Sequence, residues 1–308
     1  MLGPLSHLAN PLRYRRPGAV VQNGEPARVH CYGIASVYTP EYNRGKGYAS
    51  RMMRLLHWVL APSGALGPFP EEWGMAPKIP STVLCADATF SSLWSDVGAF
   101  YGACGPSPST NGWEIQGNVS TVWQIGESSR SEPLNDSKGW RWMESDEVSK
   151  CWEGESHRMI GDMCDQSHDA TSSLFAFLPE NGVAEFQRLR MLSRLQKAGI
   201  YLAFWGLSAN SGPQDGLVTW SVELNGPPTL IVTRFRAKEH SDYKTIILGL
   251  LEYAKSQGLQ RMEIWGLPPQ VHEVASETGG QTVQREEHLP AYRWYGPQTN
   301  VVWAFNEK

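Results

Sequence analysis

The sequence has few long apolar runs, few basic clusters and no regular cysteine spacing. None of its apolar stretches approaches the roughly 18 consecutive residues of a membrane span, and the N-terminus has no convincing signal-peptide core. A formal net charge of −4 and no basic block longer than residues 13–16 argue against general nucleic-acid binding. Five scattered cysteines are typical of reduced thiols. We therefore expect a cytoplasmic protein with neither nucleic acid nor membrane as a partner.

Common cofactor and metal motifs are also missing. The P-loop pattern GxxxxGK[ST] does not occur, and of the dinucleotide pattern GxGxxG only the first glycine pair is present, at Gly45 and Gly47. The nearest approach to a metal-binding group consists of Cys151, His157, Cys164 and His168. These residues lack the common ligand spacings, so we expect no metal site.

Residues 44–55, RGKGYASRMMRL, stand between a β-rich run and an amphipathic pattern. The run predicts a strand over 28–39, and the pattern predicts a helix over 47–60. Backbone N–H groups at a helix start carry partial positive charge, and glycine lets an anion approach the backbone closely. Arg44 and Lys46 add full charges. The segment predicts a pyrophosphate site, although a Gly-Lys-Gly turn taken alone is more often structural.

The remaining pattern predicts two halves joined by a Ser-, Gly- and Asp-rich stretch. Further strands are predicted over residues 89–94, 201–207, 217–224, 230–236, 261–267 and 301–305, and further helices over 96–104, 145–162, 183–198 and from 241 onwards. Asn225-Gly226 predicts a hairpin between two of these strands. We expect a domain over residues 1–125, a linker over 126–140 and a second domain over 141–308.

Two motifs in this order resemble the GNAT acetyltransferases. Arg44-x-x-Gly47-x-Ala49 matches the Arg/Gln-x-x-Gly-x-Gly/Ala signature of that superfamily, and residues 95–105 resemble its later strand-to-helix segment, with a Phe-Tyr pair before a glycine. The stretches SVYTPEYNRGKGYASRMMRLLHW, LWSDVGAFYGACGP, LPAYRWYG and WAFNEK are similar to the fungal lysine N-acetyltransferase family. The resemblance runs from about residue 13 to the end of the sequence.

The resemblance implies a fold and an activity. The fold is α/β with a mixed sheet: a GNAT-type core that is incomplete at the N-terminus, followed by a second GNAT-like unit without a pyrophosphate loop. The activity is acetyl-CoA-dependent N-acetylation of a small-molecule amine, lysine first, by direct attack of the amine on the thioester. No metal takes part in this chemistry.

The resemblance also assigns roles to residues. The pantetheine arm of acetyl-CoA would bind the backbone of Val37, Tyr38 and Thr39. The pyrophosphate would be held by N–H groups of Gly45, Lys46, Gly47, Tyr48 and Ala49, with Arg44 alongside. Tyr101 would protonate the departing CoA thiolate, because a phenol can donate a proton without competing as a nucleophile. The alternative for Tyr101 is a core aromatic, and His57 is expected to be a packed or surface residue.

The short N-terminal stretch suggests a second interpretation. Some 28 residues precede the β-rich run, with four prolines and three glycines among them. GNAT domains build much of the acceptor pocket there, so the alternative is a catalytically impaired acyl-CoA-binding or scaffold protein. An open V between the strands at Val37 and Leu93 would favour the enzyme.

Overall fold

The chain folds into two compact units that interleave along the sequence. The computed structural model describes residues 10–79, 85–127, 129–135, 138–167 and 171–305. The first unit is formed by Met1–Asn118, Ile160–Leu178 and Arg285–Ala304, and the second by Val119–Met159, Pro179–Gln284 and Phe305–Lys308. The domains predicted from the sequence follow one another, whereas these units alternate.

Both units are α/β structures with mixed sheets, which confirms the predicted fold class. The strands are β1 (Asn10–Gln22), β2 (Glu25–Tyr38), β3 (Phe90–Ser95), β4 (Glu114–Ile115), β5 (Val119–Gln124), β6 (Trp140–Met143), β7 (Ser173–Phe177), β8 (Gly206–Ala209), β9 (Gly216–Glu223), β10 (Thr229–Ala237), β11 (Arg261–Trp265), β12 (Gln281–Gln284), β13 (Leu289–Trp294) and β14 (Val301–Trp303). The helices are α1 (Tyr48–Leu60), α2 (Ser145–Ser149), α3 (Trp152–Ser167), α4 (Val183–Lys197), α5 (Asp242–Ser256) and α6 (His272–Glu277). No helix in the described part of the chain is long and apolar enough to cross a bilayer.

The first unit has the strand order β14-β7-β1-β2-β3-β13-β4. Strands β1 and β2 form an antiparallel hairpin, and α1 is the crossover between the parallel strands β2 and β3. The apolar face of α1 packs against Tyr32 and Leu93 of the sheet. Successive residues of a strand point to opposite faces, and Cys31 therefore belongs to a separate cluster on the other face, together with Phe90 and Phe175.

No strand was predicted for the residues of β1, which lie in a stretch with several prolines and glycines. Pro17 pairs with His30 in the middle of the hairpin. The following Gly18 is required by packing, since a Cβ there would lie 2.9 Å from the Sγ atom of Cys31. The hairpin turn is Asn23-Gly24, a dipeptide that favours two-residue turns, and its φ angles of 51° and 79° fit such a turn.

The second unit has the strand order β12-β5-β11-β10-β9-β8-β6. The predicted Asn225-Gly226 hairpin joins the antiparallel strands β9 and β10, and α5 connects β10 to its parallel neighbour β11. The strand predicted over residues 201–207 is wrong, because β8 begins only at Gly206. Instead of a ladder, the backbone N–H and carbonyl of Phe204 bond to the hydroxyl of Tyr253, at 3.2 and 2.9 Å.

Two later strands that return to the first sheet explain the interleaving. Strand β7 lies between β14 and β1, and β13 lies between β3 and β4. Neither strand was predicted from the sequence, and neither was β5, which lies between β11 and β12 of the second sheet. The helix predicted over residues 145–162 is two helices, α2 and α3, which are separated at Lys150 and Cys151 and extend to Ser167.

Candidate functional site

Strands β2 and β3 separate at their carboxyl ends. Their parallel ladder consists of the pairs Cys31–Phe90, Tyr32–Ser91 and Gly33–Ser92. Beyond Gly33 and Ser92 no further ladder pair joins these two strands, both of which are described in full, although β2 runs on to Tyr38 and β3 to Ser95. The ladder between the two strands therefore ends before Val37 and Leu93, where the resemblance places the opening.

A bulge in β2 accompanies the opening. Leu12 pairs with Ala35 but Asn10 pairs with Tyr38, so β2 carries one residue more than its partner. Ser36 in this bulge has a φ of 53°, in the left-handed region that non-glycine residues rarely adopt. The bulge redirects the end of β2, where Tyr38 is 57% exposed.

The loop between β2 and α1 is open and basic. Gly45 and Gly47 have φ angles of 74° and 76°, and a Cβ built on either meets nothing within 4 Å. The guanidinium Nε of Arg44 donates to the carbonyl oxygen of Thr39 at 3.2 Å, and Lys46 is exposed. The positive φ angles explain the glycines, and the open space leaves room for a ligand at the backbone.

The helix start presents a series of unused backbone donors. The N–H of Arg51 makes the first bond of α1, to the carbonyl of Gly47 at 3.0 Å. Within the described structure, no backbone N–H from Gly45 to Ser50 donates to a protein acceptor. No side chain caps the helix, and its first turn has no acidic residue. Such a run of donors at a positive helix end is suited to an anion.

Tyr101 lies on the 3₁₀ turn Gly98–Ala103, which follows β3. Its ring packs edge-on against Phe100 and Trp113, with centroid separations of 5.1 and 6.4 Å. Burial raises the pKa of Tyr101 to about 12, with smaller contributions from Cys104 and Asp96, so the phenol is protonated at neutral pH.

Buried polar groups hold this turn against α1 and the sheet. His57 is fully buried, and desolvation lowers its pKa to about 3, so the ring is neutral. Its Nε2–H donates to the carbonyl of Cys104 at 2.8 Å, and its Nδ1 must therefore accept from the hydroxyl of Tyr295 at 2.9 Å. It follows that Ser91 donates to Tyr295 at 3.1 Å and accepts from the indole of Trp113 at 3.0 Å. The donor and the acceptor of each of these four hydrogen bonds are thus assigned. His57 is a packed residue, as expected.

All predicted site residues belong to the first unit. The glycine loop follows β2, and the turn that carries Tyr101 follows β3. Because these strands are parallel, both segments begin at the carboxyl ends of the strands, on the same side of the sheet. His57 and Tyr295, which bond to each other in the structure, are 238 positions apart in the sequence. No local pattern could have indicated this bond.

The structure describes three of the four residues that were considered as metal ligands. Cys151, His157 and Cys164 lie in the described structure, where no group of His, Cys, Asp and Glu has a metal-binding arrangement. His168 lies outside the described residues.

The bulged strand, its diverging parallel neighbour and the glycine loop at the crossover helix define a GNAT-type α/β protein. Residues 124–308, more than half of the chain, match the family model described as the LYC1 GNAT-like C-terminal domain. The chain belongs to this family.

Individual relatives are similar to parts of the chain. A protein described as "Lysine acetyltransferase" from Yarrowia lipolytica (strain CLIB 122 / E 150) is 36% identical over 112 residues, which are 34% of this chain and 27% of that protein. A GCN5-related N-acetyltransferase from Kribbella flavida superimposes with a TM-score of 0.45 at 15% identity, over 93% of this chain and 57% of its own. Eis1 from Mycobacterium abscessus superimposes with a TM-score of 0.46 at 12% identity, over 94% of this chain and 62% of its own. The chain spans less than two thirds of each relative.

Proposed function

We propose that the protein is an acetyl-CoA-dependent N-acetyltransferase. Its acceptor is an amine, and the side-chain amine of free lysine or of a related small molecule is the first candidate. The observation that carries the proposal is the run of unused backbone donors from Gly45 to Ser50 beside the opening between β2 and β3. Family membership and the name of the Yarrowia relative support it.

The loop residues fit the phosphate groups of CoA. A Cβ at Gly45 or Gly47 would point into open space, so the backbone there is accessible to phosphate oxygens. The N–H groups from Gly45 to Ala49 would bind these oxygens, and Arg44 and Lys46 would add charge. The backbone of Val37 and Tyr38, at the end of β2, and of the following Thr39 would bind the pantetheine arm. When bound, acetyl-CoA supplies an activated acetyl thioester.

Tyr101 is the proposed proton donor. Its hydroxyl would donate to the sulfur that leaves as the amine attacks the thioester carbon. Because its pKa is raised to about 12, the phenol keeps its proton across the neutral range. A thiol has a pKa of about 8.5, so complete proton transfer from so weak an acid is uphill, and we expect a moderate contribution.

The test is turnover of acetyl-CoA with a panel of free amines, measured as thiol release. Release that depends on the amine and yields the N-acetylated product supports the proposal. Acetyl-CoA binding without turnover of any amine would instead support the acyl-CoA-binding or scaffold alternative. Thiol release without an acetylated amine would indicate simple hydrolysis and would contradict the proposal.

A further inference from the structure

The turn that carries Tyr101 is held along its backbone. Every carbonyl from residue 101 to residue 104 accepts a hydrogen bond from a neighbouring segment. The donors are, in that order, the backbone N–H groups of Trp113 and Gly112, the guanidinium of Arg54 and the ring of His57, at 3.2, 2.8, 3.4 and 2.8 Å. The segment of Gly112 packs closely, since a Cβ there would lie 2.2 Å from the carbonyl oxygen of Tyr101. The backbone that carries the phenol is therefore fixed at successive residues.

The hydroxyl of Tyr101, in contrast, is unbonded. It makes no hydrogen bond in the described structure, and the side chain is only partly buried. Tyr253 and Tyr295 show how core tyrosines of this protein differ, because each is buried and its hydroxyl donates to a protein acceptor at 2.9 Å. A held backbone with an unbonded phenol is the combination that a preorganised proton donor requires.

The buried hydrogen bonds around His57 begin and end on this turn. At one end, the Nε2–H of His57 donates to the carbonyl of Cys104. At the other end, Trp113 donates its indole N–H to Ser91 and its backbone N–H to the carbonyl of Tyr101. The series therefore closes into a ring through the turn itself. Because its members are buried, removing one of them leaves another polar group without a partner.

His57 connects this ring to α1. Its imidazole stacks on the indole of Trp113, with ring centroids 4.0 Å apart and planes 23° from parallel, so packing and hydrogen bonding fix the same group. The next residue of the helix, Trp58, donates its indole N–H to the carbonyl of Pro106 at 3.0 Å. The same helix starts at Gly47 in the glycine loop. Helix α1 therefore joins the loop proposed to hold the phosphates to the turn that carries the phenol.

We propose that His57 is a positioning residue for Tyr101: the ring of hydrogen bonds that it closes sets where the unbonded phenol lies relative to the glycine loop. The inference rests on the proposed function, in which Tyr101 donates a proton to the leaving sulfur. A displacement of about 1 Å in a reacting group can cost about 100-fold in rate. A loosened turn should therefore lower turnover and leave the phosphate site intact. In this role His57 touches no substrate and transfers no proton.

Kinetics in two backgrounds test the proposal. His57→Phe keeps an aromatic ring and loses both hydrogen bonds, so kcat should fall by about 10- to 100-fold, and by no more than in Tyr101→Phe, with acetyl-CoA affinity nearly unchanged. In a protein that already carries Tyr101→Phe, the same change should alter kcat by less than about twofold, because no hydroxyl is left to position. Equal falls in both backgrounds, no fall in either, or a Tyr101→Phe variant with unchanged kcat would overturn the proposal.

Milder variants separate positioning from general stability. His57→Gln can still donate an amide N–H to the carbonyl of Cys104, so it should keep most of kcat. Tyr295→Phe removes one O–H from the ring and should lower kcat less than His57→Phe does. Tyr253→Phe is the matched control, because its buried hydroxyl bonds to Phe204 in the second unit. It should lose similar stability with kcat intact. Equal losses of kcat in Tyr295→Phe and Tyr253→Phe would reject the proposal.

Fluorine NMR of protein labelled with fluorotyrosine follows the phenol without any reaction. The resonance of Tyr101 is the one that is missing from Tyr101→Phe. We expect His57→Phe to shift or broaden this resonance and Tyr253→Phe to leave it unchanged. An unmoved resonance in His57→Phe would overturn the proposal. If the resonance responds as expected but no amine is acetylated, the positioning of the phenol stands and the proposed activity fails.

Discussion

The two units contain the same crossover with different helix starts. In the first unit β2 is bulged at Ser36, pairs in parallel with β3 and leads into α1. In the second unit β10 has one extra residue at Thr233, pairs in parallel with β11 and leads into α5. Because the strand–loop–helix crossover is shared, the difference between the two helix starts lies in the connecting loops.

The loop of the second unit supplies its own partners. The N–H groups of Asp242 and Tyr243 bond to the carbonyls of Glu239 and His240, at 3.1 and 3.3 Å. Asp242 also places a carboxylate in the first turn of α5, whereas the first turn of α1 has no acidic residue. Because a carboxylate at a helix N-terminus takes the place of an external anion, we expect CoA to bind the first unit alone.

The largest expected effect comes from giving the first loop a carboxylate. Gly47→Asp should reduce CoA affinity by at least about 100-fold, roughly 3 kcal/mol, because charge and Cβ would both oppose the phosphates. Gly47→Asn has nearly the same shape without charge and tolerates a positive φ, so it should lose much less. Ser241→Asp in the second unit should change nothing. Calorimetry that gives equal affinities for all three variants would remove the pyrophosphate assignment.

The next effect concerns Tyr101, with a buried tyrosine of the other unit as the control. Tyr101→Phe should lower kcat by at most about 10²–10⁴-fold, with acetyl-CoA affinity nearly unchanged, because only the proton donor is lost. Tyr243, whose hydroxyl donates to the carbonyl of Ala237, offers the control. Tyr243→Phe should cost about 1 kcal/mol of stability and leave kcat intact. If Tyr101→Phe behaves in the same way, Tyr101 is a core aromatic.

Acid should weaken the two units in different pH ranges. The pKa of His57 falls from its ordinary 6.5 to about 3 on folding, so its contribution to stability is complete above pH 6.5 and is lost as the pH falls toward 3. The loss is about 1.4 kcal/mol per pH unit, or ~2 kcal/mol by about pH 5. Burial would raise the pKa of Glu155, but Arg234 and Arg236 outweigh it and lower the pKa below 4.5, so its contribution persists to lower pH.

Hydrogen exchange at pH 7 and pH 5 can distinguish these ranges. Peptides of α1 should lose protection at the lower pH, while those around β10 should keep it. His57→Gln has no titrating ring, so its stability should be lower overall but independent of pH across this interval. An unchanged slope in that variant would show that another group is responsible.

The smallest effect is expected at Arg44. Its side chain is exposed and its Nε already bonds to Thr39, so Arg44→Ala should weaken CoA binding by about 1 kcal/mol, as expected for a solvent-exposed charged contact. The contribution should shrink further at high salt. Lys238→Ala in the corresponding loop of the second unit should have no effect on CoA affinity. A loss above about 3 kcal/mol would mean that Arg44 carries much of the binding energy.

Local signals explain which elements the sequence could predict. The helix α1 combines an apolar period with glycines at its start, and both signals lie within a few residues. The bulge at Ser36 has no such signal, since serine does not favour its φ of 53°. Strands β5 and β13 were missed because their short sequences gain stability only from sheet partners far away in the chain.

The candidate site divides in the same way. The glycine loop before α1 could be proposed from the sequence because all its backbone donors belong to consecutive residues. The contact between His57 and Tyr295 could not, because the two residues are 238 positions apart and meet only in the folded structure.

The alternation of the two units along the sequence has a consequence for synthesis on the ribosome. The first sheet needs β13 as the outer neighbour of β3, and Tyr295 must arrive before the hydroxyl can bond to His57. The glycine loop is made some 250 residues before that strand. Nascent chains that end before residue 295 therefore carry the complete glycine loop on an unfinished sheet, and the first unit can close only when nearly the whole of these 308 residues has been translated.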